Sequence, residues 1–269
     1  MADQLAKIEA GADLKESIRH AVDAVGGFGA YIKEGETVLV KPNFNTIDPP
    51  PASTDPAFLA AFVDLLHEHG AAKVTIGESS TFYGNTRWNL ENVGVKAMTE
   101  TRPWLDYLAF DAGKWVRREV EGGKYLKHVS VPEALERHDR LFFVCCLKTH
   151  CHARYTGALK LSVGLMKPQQ RMGLHLRNIQ PKIAELASLF SPDLIVMDAR
   201  KCFITRGPSE GEVREPGVIL AGTDRVAMDI EGIRIIQGYE GSTLAGVVPE
   251  ELPQIARAIE LGIDGYGQR

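Results

Sequence analysis

The chain has 269 residues, 44% of them hydrophobic, with a formal net charge of −4 at pH 7. That suffices for one large α/β domain or two small ones with a full core, and the acidic balance argues against nucleic acid as a partner, since phosphate binding leaves a basic footprint. No apolar run approaches the roughly 18 residues of a membrane span. Asp3, Lys7, Glu9, Asp13, Lys15, Glu16 and Arg19 leave no room for a secretory h-region, so a cytoplasmic location without a membrane partner is expected.

In chain order, Thr37-Val38-Leu39-Val40 predicts a buried strand that ends at Lys41-Pro42-Asn43. After a proline-rich loop, Asp55 is the expected N-cap of a helix with Pro56 at its first position, running through Phe58, Phe62, Leu65 and Leu66 to Gly70. Lys73 to Glu78 is the next strand, which completes a strand–helix–strand unit of a parallel sheet. Further strands are expected at Leu105–Phe110, Lys124–Val131, Leu141–Leu147, Asp193–Asp198 and Val218–Ala221, and Asp224 is the expected N-cap of a last helix through Val226, Ile230, Ile233 and Ile236. The pattern predicts an α/β fold with a mostly parallel sheet and flanking helices. It allows one unit over 1–269 or two intertwined lobes, about 1–115 and 116–269, with the site between them. Ligands of such folds sit outside the carboxyl ends of the strands. Those ends carry Lys41 and Asn43, Glu78 to Thr81, Lys148 to His152, Asp198 to Lys201, and Thr223-Asp224.

The densest end is Lys148-Thr149-His150-Cys151-His152, followed by Thr156-Gly157-Ala158-Leu159-Lys160. Period two puts Cys146, Lys148 and His150 on one strand face. Thr156 is an expected N-cap, and a helix start there would offer free N–H groups to an anion. Lys148, Arg154, Lys160, Lys167 and Arg171, with His150, His152 and His175, make this a basic cluster on an acidic chain, which suits a small anionic substrate. We expect His150, Lys148 and Lys160 to be catalytic, with His150 as general base. Lys160, Lys41, Asn43, Thr156 and Gly157 are the candidate cofactor-binding residues. No nucleotide fingerprint is present.

Cys145, Cys146, Cys151 and Cys202 are either buried apolar residues or metal and redox ligands. Adjacent strand residues point to opposite faces, so Cys145 and Cys146 reach one metal only if the strand ends there. Cys151, with His175, heads the candidate metal ligands, followed by Cys146, Cys145 and Cys202. Asp198 and Asp229 could orient a histidine or bind a metal, although strand-end polarity and helix capping also fit them. Arg206-Gly207-Pro208 is expected to turn at the site mouth. Trp88, Trp104 and Trp115 read as packing residues.

The segments Val38-Leu39-Val40-Lys41-Pro42-Asn43, Ser53-Thr54-Asp55-Pro56, Lys148-Thr149-His150, Thr156-Gly157-Ala158-Leu159-Lys160 and Asp224-Arg225-Val226-Ala227-Met228-Asp229 resemble the DUF362 family in order and content. That resemblance implies an association with iron–sulfur chemistry. This chain lacks the cysteine run of the ferredoxin-like module that family members often carry, so a cluster would use its four cysteines or come from a partner. A fainter likeness is to the nickel-pincer lactate racemase family. It implies His150 as acid/base, Lys160 as cofactor or substrate anchor and His175 as metal ligand. This chain departs from that family at Glu78-Ser79-Ser80-Thr81-Phe82-Tyr83, where a second histidine is missing, and at Asn43-Phe44-Asn45, which replaces a substrate-binding arginine. The resulting expectation is a metal- or iron–sulfur-dependent oxidoreductase served by an electron-transfer partner. The alternatives are a redox-neutral hydroxy-acid isomerase or epimerase, and a non-catalytic carrier of a cluster or cofactor.

Overall fold

The computed structural model describes residues 5–81 and 84–266. Strand β1 (Leu5–Glu9) and helix α1 (Leu14–Asp23) precede the predicted unit of β2 (Thr37–Lys41), α2 (Pro56–Glu68) and β3 (Lys73–Glu78). Then come α3 (Thr86–Asn92), α4 (Val95–Glu100), β4 (Leu105–Ala109), β5 (Trp115–Glu119) and β6 (His128–Pro132). The longest strand, β7 (Arg140–His150), turns into β8 (Arg154–Thr156), α5 (Ala158–Leu161), α6 (Pro168–Leu176) and α7 (Ile179–Ala187). The chain finishes with β9 (Leu194–Phe203), β10 (Val213–Arg214), β11 (Val218–Gly222), α8 (Arg225–Gln237) and α9 (Pro253–Glu260).

One sheet runs through both halves of the chain in the order β1-β11-β9-β7-β2-β3-β4, with β8 and β10 added at its margins. Strands β9, β7, β2, β3 and β4 are mutually parallel, and β11 runs antiparallel to β9. From β2 the chain steps outward through β3 to β4, then returns to build the other side from β7 to β9. The crevice between β2 and β7 is therefore the topological switch point, where open α/β sheets bind ligands.

Both faces of the sheet are covered, which explains why its strands read as apolar runs without alternation. Val38, Val40, Phe142 and Val144 pack in one layer with α1 and α2. Leu39, Phe143, Cys145 and Leu147 pack in the other with α5, α7, α8 and α9. Among the described residues no helix is long and apolar enough to cross a membrane.

The helix starts follow the expected chemistry at two places. Asp55 caps α2 by accepting from Ala57 N at 2.8 Å, and Asp224 caps α8 by accepting from Val226 and Ala227 N at 2.9 Å. A third start differs. Thr156 lies in β8 and does not cap α5. The buried carboxylate of Asp229, reaching across from α8, accepts from Ala158 N at 2.6 Å and Leu159 N at 3.1 Å. Asp229 is thus a remote cap, neither histidine partner nor metal ligand, and the N–H groups expected to meet an anion are already satisfied. Burial pushes its carboxyl up to about 7, against the pull of those two donors.

Two further expectations change. The strand expected over Lys124–Val131 begins only at His128, because the N–H groups of Lys124, Tyr125 and Leu126 donate to the buried carboxylate of Glu185 instead of a ladder. Strand β7 also runs past Leu147 to His150 and turns into the β8 hairpin before any helix begins.

Asp229→Ala should strand two buried donors and cost about 2–4 kcal/mol. Urea denaturation checks this, and a cost under about 0.5 kcal/mol would remove Asp229 from this role.

Candidate functional site

A cavity of about 670 Å³ opens at the switch point, over the carboxyl ends of β2, β3 and β7. Lys41 and Asn43 reach it from β2, Glu78 and Ser79 from β3, and Lys148 and His150 from β7. Lys160 of α5 and His175 of α6 close the opposite side, with Cys151 and Thr156 between them. The two residues on which the sequence reading turned, His150 and Lys160, therefore share one hollow. Of the expected site residues, Gly157, Cys145, Cys146 and Cys202 do not line it. Neither do Arg154 and Lys167 of the basic cluster.

Lys148 is 3% exposed and donates to the carbonyl of Ala52. The same carbonyl accepts from Asn43 Nδ2 at 3.3 Å, and Asn43 N donates to Thr54 Oγ1 at 2.8 Å. The loop between β2 and α2 is thereby pinned across the end of β7. Among the described residues no carboxylate forms an ion pair with Lys148, and burial pulls its ammonium below the usual lysine range.

Lys41 is held differently. Its Nζ lies 2.6 Å from Glu78 Oε1 and 2.5 Å from the Pro42 carbonyl, which it donates to. Glu78 in turn accepts from Phe44 N at 2.7 Å and Ser79 N at 2.8 Å. A side chain at Gly164 would place Cβ 2.4 Å from Lys41 Cε, so the approach of the segment after α5 requires glycine there. Lys41 lines the cavity as one half of an ion pair.

His150 changes role. Its Nδ1 accepts from His152 N at 3.1 Å and Ala153 N at 3.2 Å. With that lone pair engaged, the ring proton belongs on Nε2. Burial first, then Lys160 and Lys148, pushes the imidazole down to about 2. The ring is neutral at physiological pH and presents an N–H donor, so the expected general base is corrected to a hydrogen-bond donor.

Lys160 has the opposite character. Its amine makes no hydrogen bond or ion pair among the described residues. Burial is the largest cause that pulls it down to about 7, followed by Lys148 and Arg171, with only the Cys151 thiol opposing. Near neutrality much of it is a free amine, which a lysine needs to act as nucleophile or base.

Arg171 is spent on structure. Its guanidinium donates to the carbonyls of Met166, Ser79 and Ser80 at 2.9, 2.8 and 2.6 Å, and binds α6 to the end of β3. It is not free to clamp an anion, although its charge remains in the cavity wall. His175 turns Nδ1 to the Arg171 carbonyl at 2.7 Å. Asp198 is likewise committed, with both oxygens on Arg200, which also reaches Asp55.

The cysteines do not form the expected ligand set. Cys145 and Cys202 are packed in the same apolar layer, where burial pushes both thiols up, Cys202 to about 12. Cys146 lies on the other face, 3.8 Å from Thr54 Oγ1. Cys151 alone is exposed, at the cavity mouth. Among the described residues no group of three or more His, Cys, Asp or Glu side chains could hold a metal ion. The residues present do not fit an iron–sulfur cluster bound by this chain.

The mouth is shaped as expected by the Arg206-Gly207-Pro208 turn. Gly207 has φ +50°, and a Cβ there would lie 1.9 Å from the Thr149 carbonyl oxygen. Its own carbonyl accepts from Cys151 N at 3.1 Å, and Pro208 and Ser209 face the cavity. Phe82 and Tyr83 of the turn after β3 lie outside the described residues. Sequence reasoning saw Glu78 only as a polar strand end and missed its ion pair. The signal was available, because β2 and β3 are parallel neighbours and their last residues are Lys41 and Glu78.

Among known proteins, the chain is 27% identical over 270 residues to the thylakoid-associated protein sll1697 of Synechocystis sp. (strain ATCC 27184 / PCC 6803 / Kazusa), covering 95% of this chain and 77% of that protein. The family model described as a domain of unknown function, DUF362, matches residues 38–234, which contain every side chain named in the cavity, and the chain belongs to that family.

Proposed function

We propose that the protein is a redox-neutral enzyme in which the Lys160 amine adds to the carbonyl carbon of a small anionic substrate. The observation that carries this reading is the unpartnered amine of Lys160, held near neutrality in the hollow it shares with His150. The nitrogen lone pair forms the new C–N bond. The carbonyl oxygen leaves as water, its two hydrogens coming in net from the amine, and an imine remains. The imine acidifies the adjacent C–H bond, which opens isomerisation and related proton-transfer chemistry. His150, with its proton on Nε2, donates to the carbonyl oxygen as negative charge develops there. A neutral imidazole fixed by backbone N–H groups suits that task. Lys148 supplies fixed positive charge for the substrate's anionic group. The metal-dependent and carrier readings have no donor set in the described part of this chain to support them, and would need a cluster held by a partner.

Incubation with a 2-oxo acid and cyanoborohydride should add one reduced adduct, mapped by mass spectrometry to Lys160 and lost in Lys160→Met. Labelling confined to surface lysines would refute the reading.

The pH dependence of amine acylation gives a second check. Lys160 should react with an apparent pKa near 7, whereas exposed lysines titrate near about 10.4. Lys148→Met removes a neighbouring positive charge and should move the Lys160 value upward. An unchanged or lower value would contradict the assigned electrostatics.

A further inference from the structure

The charge lining the cavity exceeds what the protein itself balances. Lys41, Lys148, Lys160 and Arg171 face it, and Glu78 is the only acidic side chain among the described residues that does so. A surplus of two or three positive charges therefore sits in a largely buried space, the exact figure depending on the protonation of Lys160, in a chain whose net charge is −4. Among the described residues the only hydrogen bond of the Lys148 ammonium goes to a backbone carbonyl. Buried charge without a counter-charge is unfavourable, and a bound anion relieves it.

A second, independent observation comes from the hydroxyls. Ser79 and Thr156 line the same cavity, are 1% and 7% exposed, and their side-chain oxygens have no hydrogen-bond partner. Buried hydroxyls in folded proteins normally have partners; both oxygens are closed off from solvent beside the cationic hollow, and a rotation about χ1 is what would turn them to a ligand's acceptor oxygens. The volume bears on size. About 670 Å³ falls in the range of pockets for ligands well above three carbons, and Leu161, Val163, Met172 and Pro208 supply apolar wall for a carbon body.

We propose that the cavity binds a ligand carrying two negative charges, a dicarboxylate or a phosphate ester, with Lys148 as fixed counter-charge and the Ser79 and Thr156 hydroxyls as donors to its oxygens. This deepens the reading of the Lys160 cavity as the working site, and it does not require that an imine form.

Titration calorimetry of the full chain at fixed ionic strength and about pH 8, where phosphate is mostly dianionic, tests it with three probes: succinate, inorganic phosphate and propionate. The expected result is that succinate or phosphate binds at least about tenfold tighter than propionate, a difference of about 1.4 kcal/mol. The tighter of the two dianions names the ligand chemistry. Lys148→Gln should weaken dianion binding by at least about tenfold, and Ser79→Ala and Thr156→Val by about fivefold each. Thr156→Val is also the folding control. Its hydroxyl has no partner, so the thermal midpoint of the unliganded protein should not fall. Equal affinity for all three probes, absence of binding, or dianion binding untouched by all three substitutions would overturn the proposal. Dianion binding that persists without adduct formation at Lys160 would sink the imine reading and leave this one standing. Adduct formation without a dianion preference would do the reverse.

Discussion

Two neighbouring parallel strands, β2 and β7, carry a lysine inside the protein at or next to their carboxyl ends, and the rest of the cavity is arranged around that positive charge. An ammonium group withdrawn from water needs a counter-charge, a set of acceptors or the loss of its proton. The three cavity lysines illustrate the three solutions. Lys41 has the Glu78 carboxylate, Lys148 has the carbonyl of a pinned loop, and Lys160, without either, is drawn toward neutrality. The lowered Lys160 amine follows chiefly from burial, and Lys148 and the nearby guanidinium of Arg171 further disfavour its charge.

The scaffold around this charge is rigid for identifiable reasons. Asp229 fixes the start of α5 from a different helix, and so fixes where Lys160 stands relative to β7. Backbone N–H groups from the β7–β8 turn fix the ring of His150 through its Nδ1. Gly207 lets its turn approach the Thr149 carbonyl closer than any residue with a Cβ would permit, and Gly164 leaves room for the end of the Lys41 side chain. Each of these groups acts through position. None needs to touch a ligand to matter for one.

Much of this was legible in the sequence. Apolar runs of four to seven residues leading to Lys41, Glu78 and Lys148 disclosed the buried strands and the polar ends that line the cavity. Aspartates before helical patterns disclosed two caps. Two of the failures share one physical origin, which is that the deciding partner lies far along the chain. Thr156 looked like a cap because local spacing cannot reveal Asp229, 73 positions later. Residues 124–127 resembled a strand because nothing local announces that Glu185 will collect their N–H groups. His150 looked like a base because its type invites that role, whereas the two donors on Nδ1 appear only once the hairpin turn is folded. The cysteines were close in sequence, yet strand alternation and the hairpin send them to three different surroundings.

The edge strand β1 pairs with β11 in register from Leu5↔Gly222 to Glu9↔Val218. The two strands lie more than 200 positions apart, so β1 leaves the ribosome long before the strand it hydrogen-bonds to. Until then the β1 backbone groups that face β11 are left to water. Such distant pairing makes for slow assembly and leaves a strand edge unpaired in the meantime.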